Sequence, residues 1–162
     1  MSTRIIKLYE TETSHIVRKA ISERCAFSAH GHSYKWEIAI EGPINPATGM
    51  ILDFKELADI KQQIDQFDHA HVFWSEEDPK IIDFFKTHFR RVLIMKKNPT
   101  AENMARWAHR MTQDWLSGLK SRVESIKGYR CAYVRLWETR TGSAYTDESD
   151  ETDNLVYIHE DN

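Results

Sequence analysis

Residues 24–40, RCAFSAHGHSYKWEIAI, place a thiol, two imidazoles one residue apart and a strictly alternating run next to one another. From residue 30 onward, histidine, aromatic and aliphatic residues alternate with small or charged ones. This period of two predicts a β-strand with one buried face. The residues predicted to share that face are His30, His32, Tyr34, Trp36, Ile38 and Ile40.

Further strands are predicted near both ends of the chain. Residues 4–12 are rich in β-branched and aromatic residues and contain neither Gly nor Pro, so they predict a first strand, with His15 near its end. After Gly128, the stretch YRCAYVRLWETRTG alternates again. The stretches SAYT and NLVYIHE are interpreted as short strands on either side of an acidic loop.

Two helices are predicted between these strands. Asp53, followed three residues later by Glu56, has the spacing of a capping box and predicts a helix over 54–66. Thr100 is the expected N-cap of a longer second helix, whose apolar residues recur at helical spacing. Residues 74–98 are interpreted as a short helix followed by a short strand. The order predicts an α+β domain, a four-stranded antiparallel sheet with two helices on one face.

Composition narrows the class of protein. The 162 residues are 41% hydrophobic and 29% charged, with a net charge of −3, which fits one globular domain and gives no general attraction to nucleic acid or anionic membranes. No apolar run approaches the length of a membrane span, and no signal-peptide segment is present, so a cytoplasmic location is expected. The two cysteines, Cys25 and Cys131, are expected to be free thiols.

The paired histidines suggest a metal site. Residues i and i+2 of a strand point to the same side, roughly 7 Å apart, so His30 and His32 can bind one ion, with His15 of the adjacent strand as third ligand. By itself the H-x-H pattern is weak, and polar residues tolerated at a sheet end are the alternative. Cys25 fits either a fourth ligand or a reactive thiolate beside an open site.

Two other positions could carry chemistry. Asp68 next to His69 suits a proton shuttle, provided that a turn brings the two side chains together. His71 is interpreted as a surface residue. Glu138 ends an apolar strand face, where it either reaches solvent or accepts hydrogen bonds from a specific partner such as the N–H edge of a heterocycle.

Five motifs in order, CAFSAHGHSYKWEIAIEG, TGMILDFKEL, FDH, NPTAEN and LWET, make the chain from about residue 4 to 147 resemble the 6-pyruvoyl tetrahydropterin synthase / 6-carboxytetrahydropterin synthase family. The resemblance implies the tunnelling fold, in which ββααββ subunits close their sheets into a β-barrel ring. Such rings are usually trimers or hexamers with active sites at subunit interfaces.

The resemblance also implies roles for particular residues. His15, His30 and His32 are expected to hold Zn²⁺, and Cys25 to be the catalytic thiol, with Asp68 and His69 as the proton-transfer pair. Glu138 matches the carboxylate that anchors the pterin. Thr100 and Glu102 match a segment that lines the pterin pocket. Arg18, Lys19 and Arg24 are interpreted as solvated charges, with contact to the triphosphate of the substrate as the alternative.

The expected reaction converts 7,8-dihydroneopterin triphosphate to 6-carboxytetrahydropterin, acetaldehyde and triphosphate in 7-deazaguanine (queuosine) synthesis. The alternatives are the pyruvoyl-forming enzyme and a non-catalytic zinc- or pterin-binding module. The chain departs from the family pattern at Thr11, where an aromatic residue is usual, and at Val72 and Phe73, which replace Leu-Asn. Residues 74–97 form a longer insert than in compact members, and residues 147–162 form an acidic C-terminal segment.

Overall fold

The computed structural model describes residues 3–120, 128–150 and 155–160. The elements are, in chain order, β1 (Thr3–His15), α1 (Glu23–Phe27), β2 (His30–Gly42), α2 (Ala58–Ile64), β3 (Ala70–Trp74), α3 (Pro79–His88), β4 (Arg91–Met95), α4 (Ala101–Lys120), β5 (Arg130–Trp137), β6 (Ser143–Thr146) and β7 (Leu155–Glu160). Single 3-10 turns, Phe54–Leu57 and Asp65–Phe67, flank α2.

The strands form one seven-stranded sheet in the order β6-β5-β2-β1-β3-β4-β7. Strands β6, β5, β2 and β1 are antiparallel neighbours and are called here the antiparallel half. Strand β3 runs parallel to the end of β1, and β4 runs parallel to β3, with β7 antiparallel at the edge. Strands β3, β4 and β7, helix α3 and the loops that connect β3, α3 and β4 are called here the extension.

The α+β class is confirmed, but the four-stranded antiparallel sheet is wrong, because the described strands form a mixed sheet of seven. The extension accounts for the difference. In β3, Val72 belongs to the main core while Phe73 packs with Ile82 of α3 in a second, smaller cluster. Since neighbouring residues of a strand point to opposite faces, α3 covers the face opposite to the main core. The two predicted helices, α2 and α4, do pack together on the main core, so α3 is the helix that departs from the expected arrangement.

The main core lies between the antiparallel half and helices α2 and α4. Trp36, Phe67 and Trp107 meet at its centre, with ring centroids 4.8–6.4 Å apart. The capping box is confirmed, since Asp53 accepts from the backbone N–H of Lys55 and Glu56 accepts from that of Asp53. It begins a 3-10 turn that continues into α2, so the predicted helix over 54–66 is three short helical pieces.

Helix α4 begins as predicted, because the Thr100 hydroxyl accepts from the backbone N–H of Asn103 at 3.3 Å. Its predicted continuation beyond residue 120 lies outside the described residues, as do parts of the acidic C-terminal segment, 151–154 and 161–162. Within the described part of the chain, none of the helices combines the length and the apolar character that crossing a bilayer would require.

Candidate metal centre and active site

Three histidines converge where β1 ends and β2 begins. His15 and His30 are direct partners in the antiparallel register, so their side chains lie on the same face, and His32 follows two residues along β2. One ring nitrogen of each lies within 4.8 Å of those of the other two. The Nε2 atoms of His15 and His30 are 3.1 Å apart. This group could hold a metal ion.

The hydrogen bonds of the rings fit that role. His15 Nδ1 is 2.7 Å from the carbonyl oxygen of Pro99, and His30 Nδ1 is 3.0 Å from that of Ser28. A carbonyl only accepts, so each Nδ1 carries the hydrogen and each neutral ring presents a lone pair at Nε2. Two lone pairs facing each other repel unless a cation lies between them. Tetrahedral bonds of 2.0–2.1 Å would place such nitrogens about 3.3 Å apart.

Burial keeps the imidazoles in the form that binds metal. His15 is completely buried, and desolvation lowers its pKa to about 4 despite the hydrogen bond to Pro99. Desolvation also lowers the pKa of His32, which is only partly buried. Neutral rings are therefore available as ligands at physiological pH. His32 is the more exposed of the two, so the group opens towards solvent on that side.

A carboxylate and a phenol border the three histidines. Glu138, just after β5, has its Oε1 3.7 Å from the Nε2 atoms of both His15 and His32. The buried hydroxyl of Tyr34 donates to the same oxygen at 3.0 Å. Burial, and then the charge of Glu138, raises the pKa of Tyr34, so the hydroxyl stays protonated. The alternation along β2 predicts that Tyr34 lies on this face but gives no sign of its hydrogen bond to Glu138.

The segment before α4 forms another wall. Its Pro99 carbonyl holds His15, and the Thr100 side chain caps α4. Glu102 is exposed in the first turn of α4, and its charge is close enough to contribute to the raised pKa of Tyr34. Thr100 and Glu102 therefore border the same centre as Glu138. The contact between His15 and the backbone carbonyl of Pro99 was not predicted, because a backbone carbonyl leaves no trace in the pattern of side chains.

Cys25 lies in α1, within the connection between β1 and β2. Its thiol is free and half-buried, and it is not part of the group of converging metal ligands. The alternative in which Cys25 is a fourth ligand of a closed site is therefore not supported by the geometry. The other thiol, Cys131, is buried in the main core, and burial raises its pKa to about 12, so it remains protonated.

The side chains of Asp68 and His69 are in direct contact between the second 3-10 turn and β3. His69 Nδ1 is 2.9 Å from Asp68 Oδ2, and His69 has a φ of 57°, the turn geometry that brings adjacent side chains together. The backbone of Glu12 holds both residues, since its N–H donates to Asp68 Oδ1 at 2.8 Å and its carbonyl accepts from the His69 backbone N–H at 2.7 Å.

The electrostatics of this pair suit an ionised carboxylate. Desolvation would raise the pKa of Asp68, but the hydrogen bonds from the Glu12 backbone and from His69 together lower it. The His69 side chain is 75% exposed and lines a cavity of about 690 Å³ together with His32, Ser14 and Arg90. His69 is not among the three converging ligands, and in a single chain most of its side chain is exposed.

Two expectations about single residues are wrong. His71 is buried rather than on the surface, packed between Phe73 and Phe85 with its Nδ1 2.8 Å from Ser14 Oγ, and burial lowers its pKa to about 4. Arg18 is not a solvated charge, because its guanidinium forms a two-point contact with the buried carboxylate of Glu77. The rings of Phe73 and Phe85 and the carboxylate of Glu77 all lie in the extension, for which the sequence predicted only a short helix and short strands.

The chain is similar to one known protein family and to individual members of it. The family described as 6-pyruvoyl tetrahydropterin synthase matches residues 4–149. A 6-carboxy-5,6,7,8-tetrahydropterin synthase of Helicobacter pylori strain J99 is 34% identical over 142 residues, which cover 86% of this chain and 70% of that protein.

Solved structures show the same fold at lower identity. The Caenorhabditis elegans 6-pyruvoyl tetrahydropterin synthase has a TM-score of 0.58 at 21% identity, covering 92% of this chain and 97% of that one. The Plasmodium vivax 6-pyruvoyl tetrahydropterin synthase has a TM-score of 0.64 at 15% identity, covering 90% and 97%. With the match over residues 4–149, the chain belongs to the 6-pyruvoyl tetrahydropterin synthase family, whose members are lyases that act on pterin triphosphates.

Proposed function

We propose that this protein is a zinc-dependent 6-carboxy-5,6,7,8-tetrahydropterin synthase that converts 7,8-dihydroneopterin triphosphate and water to 6-carboxytetrahydropterin, acetaldehyde and triphosphate, a step towards 7-deazaguanine (queuosine-type) bases. The observation that carries the proposal is the convergence of three imidazoles beside the Glu138 carboxylate. The name of the Helicobacter pylori relative, at 34% identity, favours the carboxy-forming product.

The donor set fits zinc. Three neutral imidazoles with carbonyl partners on two of the rings are a common catalytic zinc arrangement, with room for a substrate ligand. Zinc held by His15, His30 and His32 would supply Lewis-acid polarisation of the hydroxyl groups on the pterin side chain. Three imidazoles add no charge of their own, so the cation keeps its full polarising power.

The residues around the centre then have separate tasks. Glu138, held by Tyr34, accepts hydrogen bonds from the N–H edge of the pterin, and Thr100 and Glu102 border that ring. The Cys25 side chain exchanges a proton with a carbon of the pterin side chain. His69 moves a second proton, and the Asp68 carboxylate holds the His69 imidazole by its Nδ1.

We also propose that the active site is completed by a second copy of the chain in a ring, as a homotrimer or homohexamer. Along β1 only residues 13–15 pair with β3, so among the described residues most of that strand's outer edge has no partner strand. Ile6 and Leu8 of the same strand are nearly half exposed. The 75% exposure of the His69 side chain fits a residue that serves a neighbouring subunit.

Mixed oligomers test the shared site. Cys25→Ala and His69→Ala proteins should each have lost turnover while keeping their zinc. Unfolding and refolding the two together should restore part of the activity if one site takes Cys25 and His69 from different chains. No recovery in mixed oligomers of confirmed composition would assign both residues to the same chain. Full turnover of Cys25→Ala would remove the thiol from the mechanism.

The product decides between the two family reactions. Incubation with 7,8-dihydroneopterin triphosphate should release acetaldehyde and triphosphate in equal amounts. The pyruvoyl-forming reaction is the second candidate, favoured by the name of the family and of the similar solved structures. Turnover with triphosphate but no acetaldehyde would select it.

A further inference from the structure

We propose that Glu77, in the extension, is a positioning residue for Cys25 and acts through Arg18. The inference rests on the proposed function only in taking Cys25 as the reacting thiol. It assigns a task to the insert of residues 74–97, in which Glu77 lies between β3 and α3. Arg18 contacts both the helix that carries Cys25 and the carboxylate of Glu77.

Helix α1 has little packing of its own to hold it in place. It has five residues, of which only Ala26 is buried, and its N-cap Ser22 makes no side-chain hydrogen bond. The large apolar side chains beside it are exposed, Phe27 by 76% and Ile21 completely. Because a helix of this length is not stable by itself, its position depends on contacts with the rest of the chain.

Those contacts come from the residues just after His15. The Val17 backbone N–H donates to the carbonyl of Cys25 at 3.0 Å, and Arg18 Nη1 donates to the carbonyl of Ala26 at 2.8 Å. Two successive carbonyls of α1 are thus tied to a segment that directly follows a metal ligand. The distance between the thiol and the metal centre therefore depends on where Arg18 points.

Glu77 determines where Arg18 points. Its carboxylate accepts from Arg18 Nε at 2.7 Å and from Nη2 at 2.9 Å, a two-point contact that fixes the plane of the guanidinium and leaves Nη1 for Ala26. Glu77 is itself fixed, since it is buried and accepts from the backbone N–H of Asp78 at 3.0 Å.

A neighbouring contact holds the same turn. Lys19 has a φ of 65°, and its ammonium lies 4.5 Å from the centroid of the Trp74 ring, which ends β3. Asn98 donates to the carbonyl of Arg18. Residues 18 and 19 are therefore held by Trp74 of the extension on one side and by Asn98, in the loop before α4, on the other. The contacts of Arg18 with Glu77 and with the carbonyl of Ala26 make a continuous path of hydrogen bonds and ion pairs from the insert to α1, the helix that carries Cys25.

The test uses the purified, zinc-loaded protein and the isosteric change Glu77→Gln, with Glu76→Gln as the matched control because Glu76 is the exposed neighbour in the same loop. Misplacing a reacting group by about 1 Å costs up to about 100-fold in rate, so we expect kcat to fall about tenfold in Glu77→Gln with KM and zinc content unchanged. The half-buried Cys25 should also react faster with iodoacetamide at a fixed pH, while the buried Cys131 remains unreactive.

Glu76→Gln should behave as the wild type in both assays. An ion pair that only stabilises the fold would lower Tm and leave kcat and the alkylation rate unchanged well below Tm, and that result would overturn the proposal. Arg18→Lys keeps the positive charge but loses the fixed fork, so it should show the same pattern and provides the test if Glu77→Gln does not fold.

The double variant Arg18→Lys/Glu77→Gln shows whether Glu77 acts through Arg18 or whether the two residues act independently. If Glu77 acts through Arg18, the kcat of the double variant should equal that of the slower single variant. A double variant in which the two losses of kcat multiply would contradict the path. The alkylation rate needs no substrate, so the two proposals fail separately. Full turnover of Cys25→Ala would refute the role of the thiol in catalysis, and an unchanged alkylation rate in Glu77→Gln and Arg18→Lys would refute the positioning role.

Discussion

The antiparallel half and the extension are built from different kinds of strand. In β2 and β5 buried residues alternate with more exposed ones over much of their length, whereas β3 and β4 are buried at four of their five positions. The antiparallel half is covered by helices α2 and α4 on one face. The extension has the main core on one face and α3 on the other.

The difference shows why the strands of the antiparallel half were easier to predict. In the extension, the short helix and short strand predicted within residues 74–98 and the strand NLVYIHE are confirmed as α3, β4 and β7, whereas β3 was not predicted. A strand with one solvated face records its orientation in the sequence, because apolar and polar residues must alternate. A parallel strand covered on both faces is apolar throughout and resembles a short buried helix. The stretches AHVFW and RVLIM are of this second kind. The predicted chemistry came largely from the antiparallel half and its loops, while the extension contributes Glu77.

The largest effect should come from removing a metal ligand. We expect His30→Ala to bind zinc at least about 100-fold more weakly than the wild type. Loss of a residue that only hydrogen-bonds a metal ligand typically weakens metal binding by about 10- to 100-fold, and loss of the ligand itself should cost more. Metal analysis after gel filtration measures it. His88→Ala is the control, an exposed histidine of the extension, and should retain wild-type zinc. Equal zinc in both variants would contradict the proposed metal centre.

A substitution in the core of the extension tests whether the two halves fold as one unit. Phe73 is 1% exposed and contacts the rings of His71 and Phe85, so Phe73→Ala should lower the free energy of unfolding by about 3–5 kcal/mol. Because Val72 and Leu93 of the extension share the main core with Ile38, denaturant unfolding should remain a single transition. A separate early transition would show that the extension unfolds independently.

The proposed anchor lies in the antiparallel half. Glu138→Gln keeps the shape but removes the charge that pairs with a pterin N–H edge, and hydrogen bonds to charged groups contribute about 1.5–3 kcal/mol. We therefore expect kcat/KM to fall about 10- to 100-fold by the arithmetic of binding energies. Glu37→Gln is the matched control, because Glu37 in β2 accepts instead from Tyr133. An unchanged kcat/KM in Glu138→Gln would remove the anchoring role.

The smallest effect concerns the ion pair that joins the two halves. Desolvation would raise the pKa of Glu77, but the hydrogen bonds from Arg18 and the Asp78 backbone outweigh it and lower the pKa below the ordinary 4.5. A lowered carboxyl pKa stabilises the fold above the unfolded pKa, and this stabilisation is lost as the pH falls through the folded value. The Tm difference between wild type and Glu77→Gln should therefore be largest near neutral pH and narrow below about pH 4.5. A difference that widens towards acid would contradict this ion pair.

The amino-acid sequence alone determined the β1–β2 pair, the capping box at Asp53, the start of α4 and the nine candidate site residues, because each depends on local periodicity or on a motif. The seven-stranded mixed sheet, the burial of His71 and the contact of Arg18 with Glu77 were decided only by the tertiary structure. These features join residues about 60 positions apart or strands covered on both faces. Neither situation leaves a periodic pattern in the chain, since only packing determines which partners meet.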